Sequence, residues 1–438
     1  MRKQTMLSIF VVFICVFVVN LSFALAFDLT EFGFKPAGSY DFGGETVTII
    51  SWTSDRMAKY FNDYLPVEGR IEEAEELFKC KIDFMQARDI PEVNFNRLLA
   101  GESLNDLWHV QNKIGYWELV ANEAVYPMGE FLGDEYYSNL PPSMVAVEEA
   151  LKFKDQYWGI GTVEWLPIYG YQNDMVFVIY NKDMIERYGL EDPYELYLNG
   201  EWTWDAVTEM GLKVTADTDG DGEIDQCASS DVRVWDLAIS NGATITKVDE
   251  NGRIVFAADE PAYIEAFEQI YKWRTELQII NSSCSFKEEK SLFGFSQLSL
   301  NLPNAIEQND FNWGIVPLPK GPSADKHYWT VQALSTTLIP KNAKDPEALA
   351  ALRAFLWREE DVELSDVLAR HVNSQESADV FLTANREWEG QASRLFQRLM
   401  DEFEDYAKEI YVGERSATAG MAEFKPVIQG RFDDLFEK

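Results

Sequence analysis

Short apolar segments alternate with helical segments along this chain, and that alternation limits its possible folds more than any other feature. In the first set, apolar segments at 46–52, 81–85 and 106–110 are separated by helical patterns. A second set begins near residue 171 with the strongly apolar segment Met175–Tyr180. Strand–helix–strand order is typical of a mostly parallel sheet covered by helices. A chain of 438 residues is long enough for two domains, so we predict a two-domain α/β fold.

Local start and stop signals predict the main helices of the second half. Thr203 is a good N-cap for a helix from Trp204 to about Val214. Amphipathic spacing predicts further helices over 261–277 and 346–358. The polar stretch 391–408 also has a helical pattern.

The N-terminus has the three-part pattern of a secretory signal peptide. A short basic start precedes an apolar run over 6–25, which ends in Ala24-Leu25-Ala26. We therefore predict cleavage after Ala26 and a secreted, periplasmic or cell-surface protein that starts at Phe27. The run is also long enough for a transmembrane anchor, which is the alternative. A lipoprotein is not favoured, because Cys15 lies in mid-run behind large apolar residues.

The charge balance excludes some classes of partner. The chain has 74 acidic and 38 basic side chains, for a net charge of −36. The predicted signal peptide holds two of the basic residues, so the mature chain would carry 36 − 74 = −38. Nucleic acids and anionic membranes are poor partners for such a surface. Solubility alone can also account for the charge.

Cysteine and histidine usage gives no sign of a zinc site. The mature chain has three cysteines, so at most one internal disulfide can form, and the sequence does not say whether Cys80, Cys227 and Cys284 pair. The histidines at 109, 327 and 371 are far apart, which argues against a histidine-bound metal.

An acidic loop after the predicted 204–214 helix matches the first nine positions of an EF-hand calcium loop. Aspartates occupy positions 1, 3 and 5, and Gly222 permits the sharp turn at position 6. Position 12 departs from the pattern, since Ala228 stands where a bidentate Glu is expected. We predict a structural Ca²⁺ held by Asp217, Asp219, Asp221, Glu223, Asp225 and Gln226. A solvated turn without an ion is the alternative.

Aromatic residues are placed where the loops of a ligand cleft are expected. Ligands of open α/β sheets bind beyond the carboxyl ends of the strands. Aromatic rings cover the flat C–H faces of sugars, and polar side chains bind the rim of hydroxyls. Core packing is the alternative for each ring. The predicted substrate-binding residues are Trp52, Asp106, Trp108, Trp165, Tyr169, Tyr171, Trp235, Asn241 and Trp329.

No common catalytic motif occurs in the sequence. It contains no GxSxG, HExxH, P-loop or GxGxxG pattern. A glycosidase needs only two well-placed carboxylates, and carboxylates are abundant here. A secreted carbohydrate-active enzyme, either a glycosidase or a lyase, is therefore the alternative to a binding protein.

Six segments in order resemble the family 1 extracellular solute-binding proteins, which are relatives of maltose-binding protein. The segments are Gly43–Ile49, Ala100–Leu107 (with Asn105 where the family has Pro), Tyr157–Ile160, Ile179–Asp183, Gly200–Asp205 and Trp313–Lys320. The resemblance implies a periplasmic-binding-protein-like fold, in which two lobes enclose a ligand cleft. It also implies a non-enzymatic, monomeric receptor that carries a sugar, most simply an oligosaccharide, to the permease of an ABC importer.

The resemblance also implies that the chain crosses between the lobes more than once. We place the crossings near 165–175, 330–340 and 370. The N-terminal lobe then comprises 27–170 and 335–370, and the C-terminal lobe comprises 171–334 and 371–438. In some oligosaccharide-binding relatives an acidic loop at the matching position holds calcium.

Overall fold

The structure is a computed structural model that describes residues 28–63, 67–102, 104–140, 142–162, 175–295, 311–358, 365, 368 and 372–437. The predicted signal peptide and the crossing at 165–174 lie outside the described residues. Within the described ranges, no helix combines the length and apolar character needed to cross a membrane.

Strands and helices alternate along most of the described chain. The strands are β1 (Thr46–Ser51), β2 (Lys81–Gln86), β3 (Asp106–Gln111), β4 (Ile160–Thr162), β5 (Val178–Asn181), β6 (Cys227–Ser229), β7 (Thr246–Val248), β8 (Ile254–Phe256), β9 (Ser291–Phe295), β10 (Trp313–Val316) and β11 (Ser335–Leu338). The helices are α1 (Ser54–Asp63), α2 (Arg70–Phe78), α3 (Ile90–Leu99), α4 (Tyr116–Ala121), α5 (Asp134–Ser138), α6 (Pro142–Ala150), α7 (Lys182–Tyr188), α8 (Pro193–Leu198), α9 (Trp204–Val214), α10 (Val234–Ser240), α11 (Pro261–Tyr271), α12 (Pro346–Leu356), α13 (Gln375–Glu387), α14 (Phe403–Tyr411) and α15 (Ala417–Phe436).

The first sheet has the strand order β2-β1-β3-β11-β4. Strands β2 and β3 both pair with β1 in parallel, as the alternating pattern predicts. Strand β11 instead runs antiparallel to β3 and β4. Ser335, at its start, lies opposite Gln111, at the end of β3, so the chain enters this sheet at the carboxyl edge of the parallel strands. The prediction of a mostly parallel sheet is therefore wrong for β11, because the chain returns from the second sheet at that edge.

The second sheet has the order β10-β5-β9-β6, and only β6 and β9 pair in parallel. Its strands come from 178–316, whereas the first sheet uses 46–162 and 335–338. An isolated antiparallel bridge between Met175 and Val331 connects the stretches on either side of the second sheet. The exact lobe boundaries remain a prediction.

Local helix signals were accurate where no tertiary contact competed with them. Helix α9 begins after Thr203, whose Oγ1 accepts a hydrogen bond from the Ala206 N–H at 3.3 Å. The predicted helix over 391–408 is wrong at its start. Ala392 forms an isolated bridge with Val331, and the Ser393 N–H donates to the Val331 carbonyl at 2.8 Å. Turns and a short 3-10 helix (Gln397–Met400) follow, so α14 begins only at Phe403.

The C-terminal tail contacts the first lobe as well as the second. The Trp117 indole N–H donates to the Leu395 carbonyl at 2.8 Å, and its ring packs on Phe396 and Phe436. Arg398 pairs with Asp89 at 3.0 Å and with Glu118 of α4 at 2.7 Å. The stretch 371–438, predicted to belong to the C-terminal lobe, therefore ties the two halves of the chain together.

One disulfide joins Cys227 on β6 to Cys284, with Cα atoms 5.9 Å apart. Cys80 is a free, buried thiol. The structure thus selects one pairing from those that the sequence left open.

Candidate functional site

Buried polar side chains gather at the carboxyl edge of the first sheet. Because β1 and β3 are parallel, they end at this edge, and β11 begins there. Open α/β sheets bind their ligands at such an edge. The residues are Ser51, Thr53, Ser54, Gln111, Asn112, Gln332 and Ser335.

Part of this polar edge is already hydrogen-bonded. Asn112 Oδ1 accepts from the Leu334 N–H at 2.5 Å, and its Nδ2 donates to the Arg394 carbonyl at 3.1 Å. The Ser335 hydroxyl has no partner among the described residues. These side chains were missed in the sequence because single Ser, Thr and Asn residues form no motif. Their one signal is their position directly beside buried apolar strands.

Trp52 lies at this edge, directly after β1. It is half-buried and stacks on His109, with ring centroids 5.3 Å apart and planes inclined by 14°. The other side of His109 stacks on Trp357, with centroids 5.9 Å apart. Trp52 is the predicted substrate-binding residue whose position best suits a ligand-facing ring.

Asp106 and Trp108 do not lie at the carboxyl edge, contrary to the expectation for them. Asp106 is the first residue of β3 and pairs with Thr48 of β1. Asp106 therefore lies toward the amino-terminal ends of these parallel strands. Its buried carboxylate pairs with Arg97, and burial raises its pKa. Trp108 is fully buried and belongs to the hydrophobic core. The core-packing alternative fits both residues.

The aromatic and amide side chains predicted in later loops are also buried. The Trp235 indole N–H donates to Glu404 at 2.8 Å, and that of Trp329 donates to Glu387 at 3.3 Å. Asn241 Nδ2 donates to the Ala262 carbonyl at 2.7 Å, and its Oδ1 accepts from the Ser323 N–H. These groups hold protein segments together, so core packing fits them as well. Trp165, Tyr169 and Tyr171 lie outside the described residues.

The acidic loop brings three of its predicted ligands together. Carboxylate oxygens of Asp217, Asp219 and Asp221 lie within 4.8 Å of one another, and all three side chains are exposed. Gly220 and Gly222 have positive φ values of 81° and 97°, which let their N–H groups donate to the Asp217 carboxylate at 2.6 and 2.8 Å. These hydrogen bonds lower the pKa of Asp217. Three carboxyl groups at this spacing fit a hard cation such as Ca²⁺.

The other predicted ligands do not join this cluster through their side chains. The Asp225 carboxylate accepts from the Thr218 N–H at 2.8 Å and from its hydroxyl at 2.7 Å. Gln226 is buried, and its Nε2 donates to the Val214 carbonyl at 2.6 Å. For Asp225 and Gln226 the ligand prediction is not supported, because the side chain of each is already hydrogen-bonded to residues that flank the acidic cluster. Glu223 was expected to contribute only its backbone carbonyl.

Two buried ionisable side chains lie beneath β4, just before the predicted crossing. Glu148 Oε1 accepts from the Gly161 N–H at 2.6 Å, and Arg353 donates to the Gly161 carbonyl at 2.7 Å. Burial raises the pKa of Glu148 to about 7, although Arg353 opposes the change. Both groups serve the backbone of this strand and lie away from the acidic loop.

Comparisons with known proteins agree with this architecture. A model of the bacterial extracellular solute-binding protein family matches residues 145–362. No curated protein sequence matches the chain significantly. The ABC substrate-binding protein Lmo0181 of Listeria monocytogenes, solved with cycloalternan, superposes with a TM-score of 0.62 at 13% identity over 89% of this chain and 98% of that one.

Two further structures show the same fold. The MalE maltose/maltodextrin-binding domain of Bdellovibrio bacteriovorus, bound to maltotriose, has a TM-score of 0.57 at 16% identity over 89% of this chain and 99% of that one. The sugar transporter RHE_PF00321 of Rhizobium etli, in an open conformation, has a TM-score of 0.62 at 14% identity over 88% of this chain and 99% of that one.

The chain forms two sheets covered by helices, and β11 returns from the second sheet to the polar carboxyl edge of the first. This architecture defines a two-lobed protein of the periplasmic-binding-protein class. The chain belongs to the family of bacterial extracellular solute-binding proteins.

Proposed function

We propose that this protein is an extracytoplasmic receptor that captures an oligosaccharide between its lobes and delivers it to the permease of an ABC importer. The observation that carries the proposal is the family membership together with a buried polar edge at the carboxyl ends of the parallel strands. Neighbours of the same fold were solved with cycloalternan, maltotriose and mannotriose, which makes carbohydrate the first ligand class to test.

Binding requires no chemical step in this proposal. Trp52 covers one face of a sugar ring, and polar groups of this edge that have no partner among the described residues, such as the Ser335 hydroxyl, bind its hydroxyl groups. The ligand stabilises a closed form only by its extra affinity for that form, and the permease recognises the closed form. We also propose that residues 1–26 are removed on export and that the receptor acts as a monomer.

Thermal-shift screening tests this function directly. A bound oligosaccharide should raise the unfolding temperature, because binding to the folded state stabilises it by RT ln(1 + L/Kd), where L is the free ligand concentration. The panel comprises cycloalternan, maltotriose, mannotriose, monosaccharides, amino acids and short peptides. A shift with peptides or amino acids but not with sugars would contradict the proposed ligand class. Recovery of the bound sugar unchanged after long incubation is expected, whereas cleaved product would indicate an enzyme.

We further propose that the acidic loop holds one structural Ca²⁺. Asp217, Asp219 and Asp221 would supply carboxylate oxygens, and the Glu223 carbonyl would add a fourth. The ion would neutralise their mutual repulsion and take no part in sugar chemistry.

A further inference from the structure

Three aromatic rings form a continuous stack from the candidate cleft into the first lobe. Trp52 lies on His109, and His109 lies on Trp357, with both pairs of planes inclined by 14°. Trp52 is the half-exposed member, whereas His109 and Trp357 are each only 2% exposed. The stack therefore ends at Trp52, the one ring of the three that keeps accessible surface for another molecule, although part of its side chain also packs against the hydrophobic core.

The middle ring is held rigidly by the sheet. His109 lies on β3 between Ser51 of β1 and Thr337 of β11. Its Nδ1 is 3.4 Å from the Thr337 hydroxyl, a contact that restricts rotation of the imidazole. On its far side, Trp357 directly follows α12, and the Arg353 guanidinium lies 5.1 Å from the centre of its ring.

The middle ring is also uncharged under ordinary conditions. Burial lowers the pKa of His109 to about 3, and the nearby Arg353 acts in the same direction. A neutral imidazole stacks on an indole as a flat aromatic ring, so the support under Trp52 does not change between pH 5 and pH 8.

We propose that His109 is a positioning residue for ligand binding, which sets the tilt of Trp52 so that its outer face meets a flat sugar ring. This role rests on the proposed function. Trp52 follows the last residue of β1, so the sheet fixes its backbone but not its side-chain rotamer. The rigid ring beneath it supplies that missing constraint, and a pre-oriented side chain loses less conformational freedom on binding.

A double-mutant cycle tests this role with the panel oligosaccharide that gives the largest thermal shift. His109→Leu removes the flat support and should weaken binding about 3- to 10-fold, the range expected for a lost aromatic contact. In a Trp52→Ala background, His109→Leu should cause no further loss. His109→Phe keeps the ring and should stay within about twofold of the wild type. Ile315→Val, a buried change in β10 of the second sheet, is the control for altered stability.

A second measurement does not depend on a ligand. In a spectrum of ¹⁵N-labelled tryptophan indoles, the Trp52 resonance is assigned by its loss in Trp52→Phe. His109→Leu should shift this resonance, and His109→Phe should shift it less. A Trp52 resonance that His109→Leu leaves in place would overturn the positioning role.

The experiments distinguish a failure of the positioning role of His109 from a failure of the proposed sugar-binding function. If wild-type protein binds sugar and His109→Leu weakens binding equally with and without Trp52, only the positioning role is overturned. If wild-type protein binds no oligosaccharide of the panel, the proposed function fails and the positioning role fails with it.

Discussion

At the scale of single residues, Glu148 should make stability depend on pH. Its pKa rises from 4.5 to about 7 on folding, because burial disfavours the carboxylate. The folded state therefore binds a proton more tightly than the unfolded state, and the contribution to stability is lost as the pH rises from about 4.5 to about 7. Glu148→Gln keeps the acceptor for Gly161 without the charge. The free energy of unfolding of this variant, relative to wild type, should rise by up to about 3 kcal/mol between pH 5 and pH 8.

The test must use the difference in the free energy of unfolding between Glu148→Gln and wild type at each pH, because other groups also titrate. The buried, neutral His109 contributes the opposite sign, since its lowered pKa favours folding as the pH rises from about 3 to 6.5. Glu268→Gln, at an exposed position of α11 in the second half of the chain, is the matched control and should run parallel to wild type. A pH-independent difference between Glu148→Gln and wild type would show that Glu148 is ionised throughout this range.

At the scale of a single element, the acidic loop should respond to calcium. Chelation with EDTA should lower the unfolding temperature, because Asp217, Asp219 and Asp221 would repel one another without a cation. Added Ca²⁺ should restore the unfolding temperature, and Asp219→Ala combined with Asp221→Ala should abolish the response. Asp434→Ala, which changes an exposed aspartate of α15, should leave it intact. A wild-type melting curve indifferent to both EDTA and Ca²⁺ would contradict the site.

The cap of the helix before this loop is a separate test. Thr203→Ala removes the acceptor for the Ala206 N–H and should cost about 1 kcal/mol of stability in denaturant unfolding. Thr203→Ser keeps the oxygen and should cost little. Equal losses for the two variants would mean that the methyl group matters and the cap does not.

At the scale of the whole molecule, the C-terminal tail should couple the two lobes. Phe436 ends α15 and packs on Trp117, with ring centroids 5.7 Å apart. Phe436→Ala and Trp117→Ala should each destabilise the protein by about 3–5 kcal/mol. Because the rings touch, the double variant should lose less than the sum, by about 0.5–1.5 kcal/mol.

The control pair for this coupling combines Phe436→Ala with Tyr126→Ala. Tyr126 packs on Phe131 in the first lobe, and no ring contact joins it to Phe436. Their effects should add. Full additivity for the Trp117 pair would mean that the tail does not couple the lobes through this contact.

Features that depend on neighbouring residues followed from the sequence alone. Strands β1 and β3, the Thr203 cap of α9 and the sharp acidic turn all arise from local propensity, capping or glycine conformation, and each lies where it was predicted. The order of six family-like segments was also enough to indicate the two-lobed fold. Such signals survive because the groups that satisfy them lie within a few residues.

Features that depend on distant partners were decided only by the tertiary structure. The direction of β11 follows from the edge at which the returning chain enters the sheet, and hydrogen bonds to Val331 and Gln332 replace the helical pattern at 391–394. The cleft prediction shows the same limit. In the sequence, a tryptophan that packs in the core cannot be told from one that lines a cleft. Trp52 and Trp108 are therefore distinguished only by what packs against them. Burial is a property of the assembled chain, because the atoms that exclude water come from segments far apart in sequence.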